Sequence, residues 1–152
     1  MWTKTRSLFL SRILTVAMGV MFFILLLLVP SISKWYSNIS VKNGLIKGDF
    51  TVPLCITLYV SCVFGYIALI ALYKLLDNIN KEQVFIETNT KCLRIISWAC
   101  MMAGITFLIF GLWRVIFVAI AFFSVMFGLI MRVLKNVFEK AVEIKSENDY
   151  TV

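Results

Sequence analysis

The sequence predicts an all-α integral membrane protein, a bundle of four transmembrane helices with both termini in the cytoplasm. Three observations point there. Of 152 residues, 61% are hydrophobic and only 15% charged, with a mean hydropathy of +0.94; an ordinary soluble domain is about 45–50% apolar. The apolar residues gather into four runs that carry no charge. The basic residues between those runs fall unevenly on the two sides they define.

The first run, Ile13 to Ser33, has 21 residues between Arg12 and Lys34, and predicts a span over 10–32. Basic residues ahead of an apolar run also suit a secretory signal peptide, with Val29-Pro30-Ser31 as a loose cleavage site. The run is longer than a usual signal core, and its loss would leave an odd number of spans, so a retained span is expected. The second run, Phe50 to Tyr73, has 24 residues and predicts a span over 51–76. The third, Ile95 to Trp113, has 19 and predicts 92–111. The fourth, Val115 to Met131, has 17, and Val133, Leu134 and Val137 extend its apolar face to a span over 114–137. About 20 apolar residues cross the hydrocarbon core, and only helices and closed barrels satisfy their backbones there. A single charge separates the third and fourth runs, which predicts a tight outer hairpin at Gly111-Leu112-Trp113-Arg114. Gly111 is expected to allow the reversal and Arg114 to snorkel to headgroups.

Orientation follows from the basic residues. One side holds Lys4, Arg6, Arg12, Lys74, Lys81, Lys91, Arg94, Arg132, Lys135, Lys140 and Lys145, which is 11; the other holds Lys34, Lys42, Lys47 and Arg114, which is 4. The positive-inside rule places the first set in the cytoplasm. Trp2 and Trp98 then fall near the inner interface, and Trp35 and Trp113 near the outer one. The net charge of +7 is thus read as a topology signal, and no direct contact with nucleic acid is expected.

Three segments lie outside the spans. In the outer loop, Asn43-Gly44 between Ser40-Val41 and Leu45-Ile46 suits a small β-hairpin. In the middle loop, the second helix is expected to run on through Leu75-Leu76-Asp77-Asn78-Ile79, and Asn80 with Gln83 resembles a capping box. Val84-Phe85-Ile86 should be buried against the bundle or the interface, and Thr88 or Asn89 can cap the third helix. In the tail, 138–152, Phe138, Ala141 and Val142 continue the apolar periodicity of the fourth helix. That face must cover inner-leaflet lipid, the middle loop or another protein. Residues Ser146 to Val152 read as a mobile acidic end.

Catalytic chemistry finds little footing. There is no His, so no Ser/His or Cys/His pair can form. The spans hold no acid or base between their boundary residues, which argues against a proton-coupled carrier. Cys55, Cys62, Cys92 and Cys100 show no CxxC spacing and read as small buried hydrophobes. No cofactor and no metal site is expected. Ser61-xxx-Gly65, Ala99-xxx-Ala103 and Ser124-xxx-Gly128 let helices approach closely, within one bundle or in a homo-oligomer.

The soluble stretches resemble the YoaS-like family of small bacterial four-helix membrane proteins, a domain of unknown function. The likeness lies in Leu75-Leu76-Asp77-Asn78-Ile79, Val84-Phe85 with Asn89, Leu93-Arg94 and Ser97-Trp98, and in Val137-Phe138-Glu139 through Glu147-Asn148-Asp149-Tyr150-Thr151-Val152. The start, Arg6-Ser7-Leu8-Phe9-Leu10-Ser11 with Pro30 after the first span, is similar too. The family usually has Gly just before the Val-Phe pair, where this chain has Lys81-Glu82-Gln83; the turn is then made differently or replaced by a helical turn. The resemblance implies the plasma membrane of a Gram-positive bacterium, frequent genetic pairing with a small helix-turn-helix regulator, and no known catalytic residue.

The expected function is a non-enzymatic regulatory or sensory membrane partner that engages a cytoplasmic protein. Phe85, Asn89, Arg94, Phe138, Glu147 and Asp149 are the candidate docking residues. An immunity or envelope-stress factor acting in the bilayer is the alternative, and a small oligomeric channel or carrier a third.

Overall fold

The computed structural model describes residues 4–39 and 44–150, with side chains for 7–39 and 44–148. Trp2, Ser40, Val41, Lys42, Asn43, Thr151 and Val152 lie outside the described residues, as do the side chains of Lys4, Arg6, Asp149 and Tyr150. Four helices account for nearly everything described: α1 (Lys4–Ile39), α2 (Thr51–Asn80), α3 (Glu87–Phe110) and α4 (Ile116–Tyr150). All four are long and apolar enough to cross a membrane.

Each helix is continuous because lipid gives the backbone no other partner. The few hydroxyls on the spans obey the same constraint. Thr15, Thr57 and Thr106 donate to the carbonyls of Ser11, Pro53 and Met102 one turn earlier, at 2.8–2.9 Å. Helix α1 passes through Pro30 without ending there, since an interior proline removes a single ladder bond. At about 1.5 Å per residue, α1 and α4 are each over 50 Å long against a hydrocarbon core of about 30 Å. Helix α4 therefore stands well clear of the bilayer. It carries the end expected to be mobile in helical form through Tyr150, braced by Lys140 to Glu143 at 2.7 Å and by Ser146 Oγ donating to the Glu143 carbonyl at 2.8 Å.

The helices pack in chain order. Close backbone approaches join α1 to α2, α2 to α3 and α3 to α4, and no other pair among the described residues. The bundle is thus an open row, tightest between α3 and α4. There Ser97 Oγ donates to the Gly128 carbonyl at 2.7 Å and Ser124 Oγ to the Cys100 carbonyl at 2.8 Å. A methyl group on Gly128 would stand 3.0 Å from the Ser97 carbonyl and 2.7 Å from Met101, so only glycine admits this crossing.

Apolar side chains pack at the two ends of the row. At the end holding the 80s loop, the start of α1 and the end of α4, hereafter the basic end, Ala71 and Leu75 of α2 meet Cys92, Leu93 and Ile96 of α3, with Met131 and Phe138 of α4 against them. At the opposite end, Phe50, Leu54 and Phe110 are buried with Tyr36, Trp113 and Phe117 around them. Between these cores lies a cavity of about 240 Å³ lined by small residues, Ser61, Cys62, Gly65, Ala99, Ala103 and Ser124 among them. Helix α1 is fastened mainly to α2: Tyr66 donates to the Gly19 carbonyl at 3.1 Å, and Arg12 reaches both Tyr73 (2.9 Å) and Asp77 (3.0 Å).

Two expectations at the opposite end are corrected. Arg114 does not snorkel: it is 1% exposed, its guanidinium 3.9 Å from the centre of the Phe50 ring and 6.0 Å from that of Tyr36. Gly111 is ordinary right-handed helix (φ −54, ψ −23), so it supplies closeness and not reversal; an added methyl would meet Val118 at 2.6 Å. The segment from Gly44 to Phe50 folds over that hairpin. Leu45-Ile46 lies in bends and not a strand, and the Ile46 N–H donates to the Leu112 carbonyl at 3.0 Å.

Candidate functional site

The basic end holds the chain's distinctive polar chemistry, and Asn89 organises it. Asn89 is wholly buried. Its Oδ1 accepts from Asn78 Nδ2 at 2.8 Å, and its Nδ2 donates to the carbonyls of Gln83 (2.8 Å) and Val84 (2.7 Å). One amide thereby ties the end of α2 and the middle loop to the first turn of α3. This corrects its expected role as a cap. Helix α3 starts earlier, with Ile86 at the N-cap and no side-chain cap, and Asn89 points back across the loop. Nor do Asn80 and Gln83 form a capping box, since Asn80 is the last residue of α2.

The turn leaving α2 is a Schellman motif. The Gln83 N–H donates to the Asn78 carbonyl and the Glu82 N–H to the Ile79 carbonyl, each at 3.0 Å. Glu82 carries the left-handed conformation this needs, φ 61. The position normally favours glycine because a Cβ there crowds the following carbonyl, at about 1–2 kcal/mol. The tight turn is thus kept, and strained, one residue before the place where the resembled family has Gly. Glu82→Gly should accordingly raise the melting temperature of the purified protein, by up to about 1 kcal/mol of stability once glycine's greater unfolded freedom is subtracted. Glu82→Ala, measured alongside, should give no such gain.

Below this turn, Phe85 packs on Phe138, with ring centres 5.8 Å apart. The middle loop therefore covers part of the apolar face of the α4 extension, and two of the predicted docking residues meet each other. Phe85 remains 44% exposed, so the pair still offers an apolar surface. Beside it, the first turns of α3 and the α4 extension enclose a groove of about 720 Å³, the largest of the described cavities, with Lys91, Arg94, Glu139, Lys140 and Glu143 on its walls. Arg94 stands 3.6 Å from Glu139, which also pairs with Lys135. The hydrogen bond from Lys135, with the charge of Arg94 adding to it, holds the Glu139 carboxyl below its ordinary range. Glu147 is exposed further along α4, and the Asp149 side chain lies outside the described residues. Of the six predicted residues, the structure brings four together at the groove and its edge: Phe85 and Arg94 are exposed, Phe138 is half-buried against the basic-end core, and Asn89 is internal.

On the α1 side of the same end, Asp77 joins Arg12 to Lys81 at 3.0 and 2.8 Å. The Lys81 hydrogen bond, then the charges of Lys81 and Arg12, hold its carboxyl below the ordinary 3.8. A depressed carboxyl stabilises the fold above its ordinary value and loses that contribution as pH falls through the folded one. Spin labels on Leu10 and Leu76 should therefore report a broadening α1–α2 distance as pH drops from about 6 to about 3. Asp77→Asn should be broad already at the higher pH.

Sequence reasoning missed Asn78, whose amide is the partner of Asn89, and the group formed by Trp98, Arg132 and Lys135, where Arg132 stands 5.4 Å over the Trp98 ring. The fourfold apolar spacing that marks helix faces carries no signal for either. Among the described residues no cluster of three or more His, Cys, Asp or Glu side chains could hold a metal ion.

Four helices long and apolar enough to span a membrane, with a polar platform at one end, define a small multi-pass membrane protein. The chain belongs to the family described as Protein of unknown function (DUF2975), whose profile matches residues 7–152. It is similar to the uncharacterized membrane protein YoaS of Bacillus subtilis (strain 168), with 28% identity over 138 residues covering 82% of this chain and 84% of that protein. No solved structure matches it.

Proposed function

We propose that this is a non-enzymatic membrane protein whose basic end faces the cytoplasm and docks a soluble protein. The observation that carries the reading is the groove of about 720 Å³ between α3 and the projecting α4. It alternates Lys91, Arg94 and Lys140 with Glu87, Glu139 and Glu143, a pattern suited to a charged helix or loop of a partner. The 11-to-4 bias of basic residues supports the orientation. A small helix-turn-helix regulator, the kind of partner the family resemblance implies, is the first to try, and any contact with DNA would be that partner's own.

Photo-crosslinking residues placed at Lys91 and Glu143 in native membranes test the proposal. The expected result is one discrete soluble adduct from both positions, with the Lys91 adduct absent when residues 139–152 are removed. The same adduct from lipid-facing Ile24, or no soluble adduct, would overturn it. Adducts with membrane proteins alone would favour a role within the bilayer.

A further inference from the structure

The structure assigns a second site at the basic end: a seat for the phosphate of an anionic lipid headgroup, built between α3 and α4 by Arg94, Arg132 and Lys135. These three cations line one cavity of about 140 Å³ with Ser97, Trp98 and Asn136. Bulk water takes about 30 Å³ per molecule, so a phosphodiester group fits and an entire lipid does not. The site is independent of the docking reading, although Arg94 borders both cavities.

Three features distinguish this pocket from a scatter of surface charge. Two helices of the tightest pair supply the cations, held in register by the Ser97 hydrogen bond to the Gly128 carbonyl. The Lys135 side chain is only 15% exposed, so its ammonium is already partly withdrawn from water. Glu139 answers Arg94 and Lys135, but Arg132 has no ion pair among the described residues and rests on the Trp98 ring at 5.4 Å. Three cations therefore face one carboxylate, leaving an excess of positive charge beside the hydrocarbon.

The surroundings favour a lipid as the source of the phosphate. Trp98 is 51% exposed, and Leu129, one turn before Arg132, and Val133, the residue after it, are 48% and 61% exposed. Tryptophan settles at headgroup depth, and those aliphatic side chains offer a wall for the acyl chains. A phosphate held here would have lipid tails alongside it. Basic pockets between transmembrane helices take anionic headgroups in this manner.

Native mass spectrometry of the full chain released from mixed vesicles tests the assignment. The vesicles contain phosphatidylglycerol and phosphatidylcholine in equal amounts, with a parallel arm of inorganic phosphate alone. The wild type should retain phosphatidylglycerol preferentially. Arg132→Gln and Lys135→Gln should each reduce that preference about fivefold, the effect of one basic residue near an anionic surface. Arg132→Lys should keep part of it, and Lys140→Gln, which removes the same charge outside the cavity, should keep all of it. Helix content by circular dichroism confirms that each variant is folded. Phosphate binding with the same dependence on Arg132 and Lys135, without lipid preference, would support the same chemistry with a soluble source. Absence of both, or equal loss in Lys140→Gln, would overturn the assignment.

Discussion

Asn89→Ala should destabilise the purified protein by about 2–4 kcal/mol, because it strands several groups at once. The substitution removes the acceptor for Asn78 Nδ2 and the donor for the Gln83 and Val84 carbonyls. Each buried group left unpaired costs about 1–3 kcal/mol, discounted here because the two carbonyls lie at the loop edge and regain some water. Asn89→Asp should be no better: it keeps an acceptor for Asn78 but turns a carboxylate toward two carbonyl oxygens. Thermal unfolding in detergent gives the size of the loss. Hydrogen exchange gives its place, since protection should fall first across Lys81–Glu87 and the start of α3. A loss spread evenly over all four helices would contradict the local clamp. Asn78→Ala combined with Asn89→Ala should cost less than the two separately, as partners in one hydrogen bond do.

What the sequence showed well, it showed through solvent. The four spans follow from uninterrupted apolar runs, because a charge inside a lipid-facing helix is costly wherever it lies and the rule needs no knowledge of neighbours. The hairpin before α4 was legible for the same reason: a lone Arg114 between two apolar runs marks the place where the chain must leave the hydrocarbon. Order within the membrane was less legible. Lipid offers no drive to close a ring, so nothing in the apolar pattern says that α1 packs its backbone closely on α2 alone and reaches α4 only where Tyr36 meets Phe117. The polar clamp was misread because capping signals are local, whereas Asn89 acts across the loop on carbonyls five and six residues behind it. The end from Ser146 was read as loose from its low hydrophobicity, whereas the helix continues through Tyr150, with Lys140 paired to Glu143 in the turn before it.

Arg114 was missed because its neighbours, Phe50 and Tyr36, lie 64 and 78 residues earlier. The second large effect is expected there. A guanidinium is planar and weakly hydrated, so it can lie on an aromatic face inside a core where an ammonium cannot. The Phe50 ring sits 3.9 Å below it, and Phe50 in turn packs edge-on to Phe110 and Tyr36 at 6.3 and 6.1 Å. A desolvated cation–π contact is worth about 2 kcal/mol or more. Arg114→Met fills a similar volume but forfeits that contact, and should cost about 2 kcal/mol or more. If the guanidinium served only at the headgroup level, Arg114→Lys would be nearly silent. Buried on Phe50, it should be almost as damaging as Arg114→Met, because lysine keeps the charge and loses the stacking plane. The two melting temperatures measured side by side decide between these accounts.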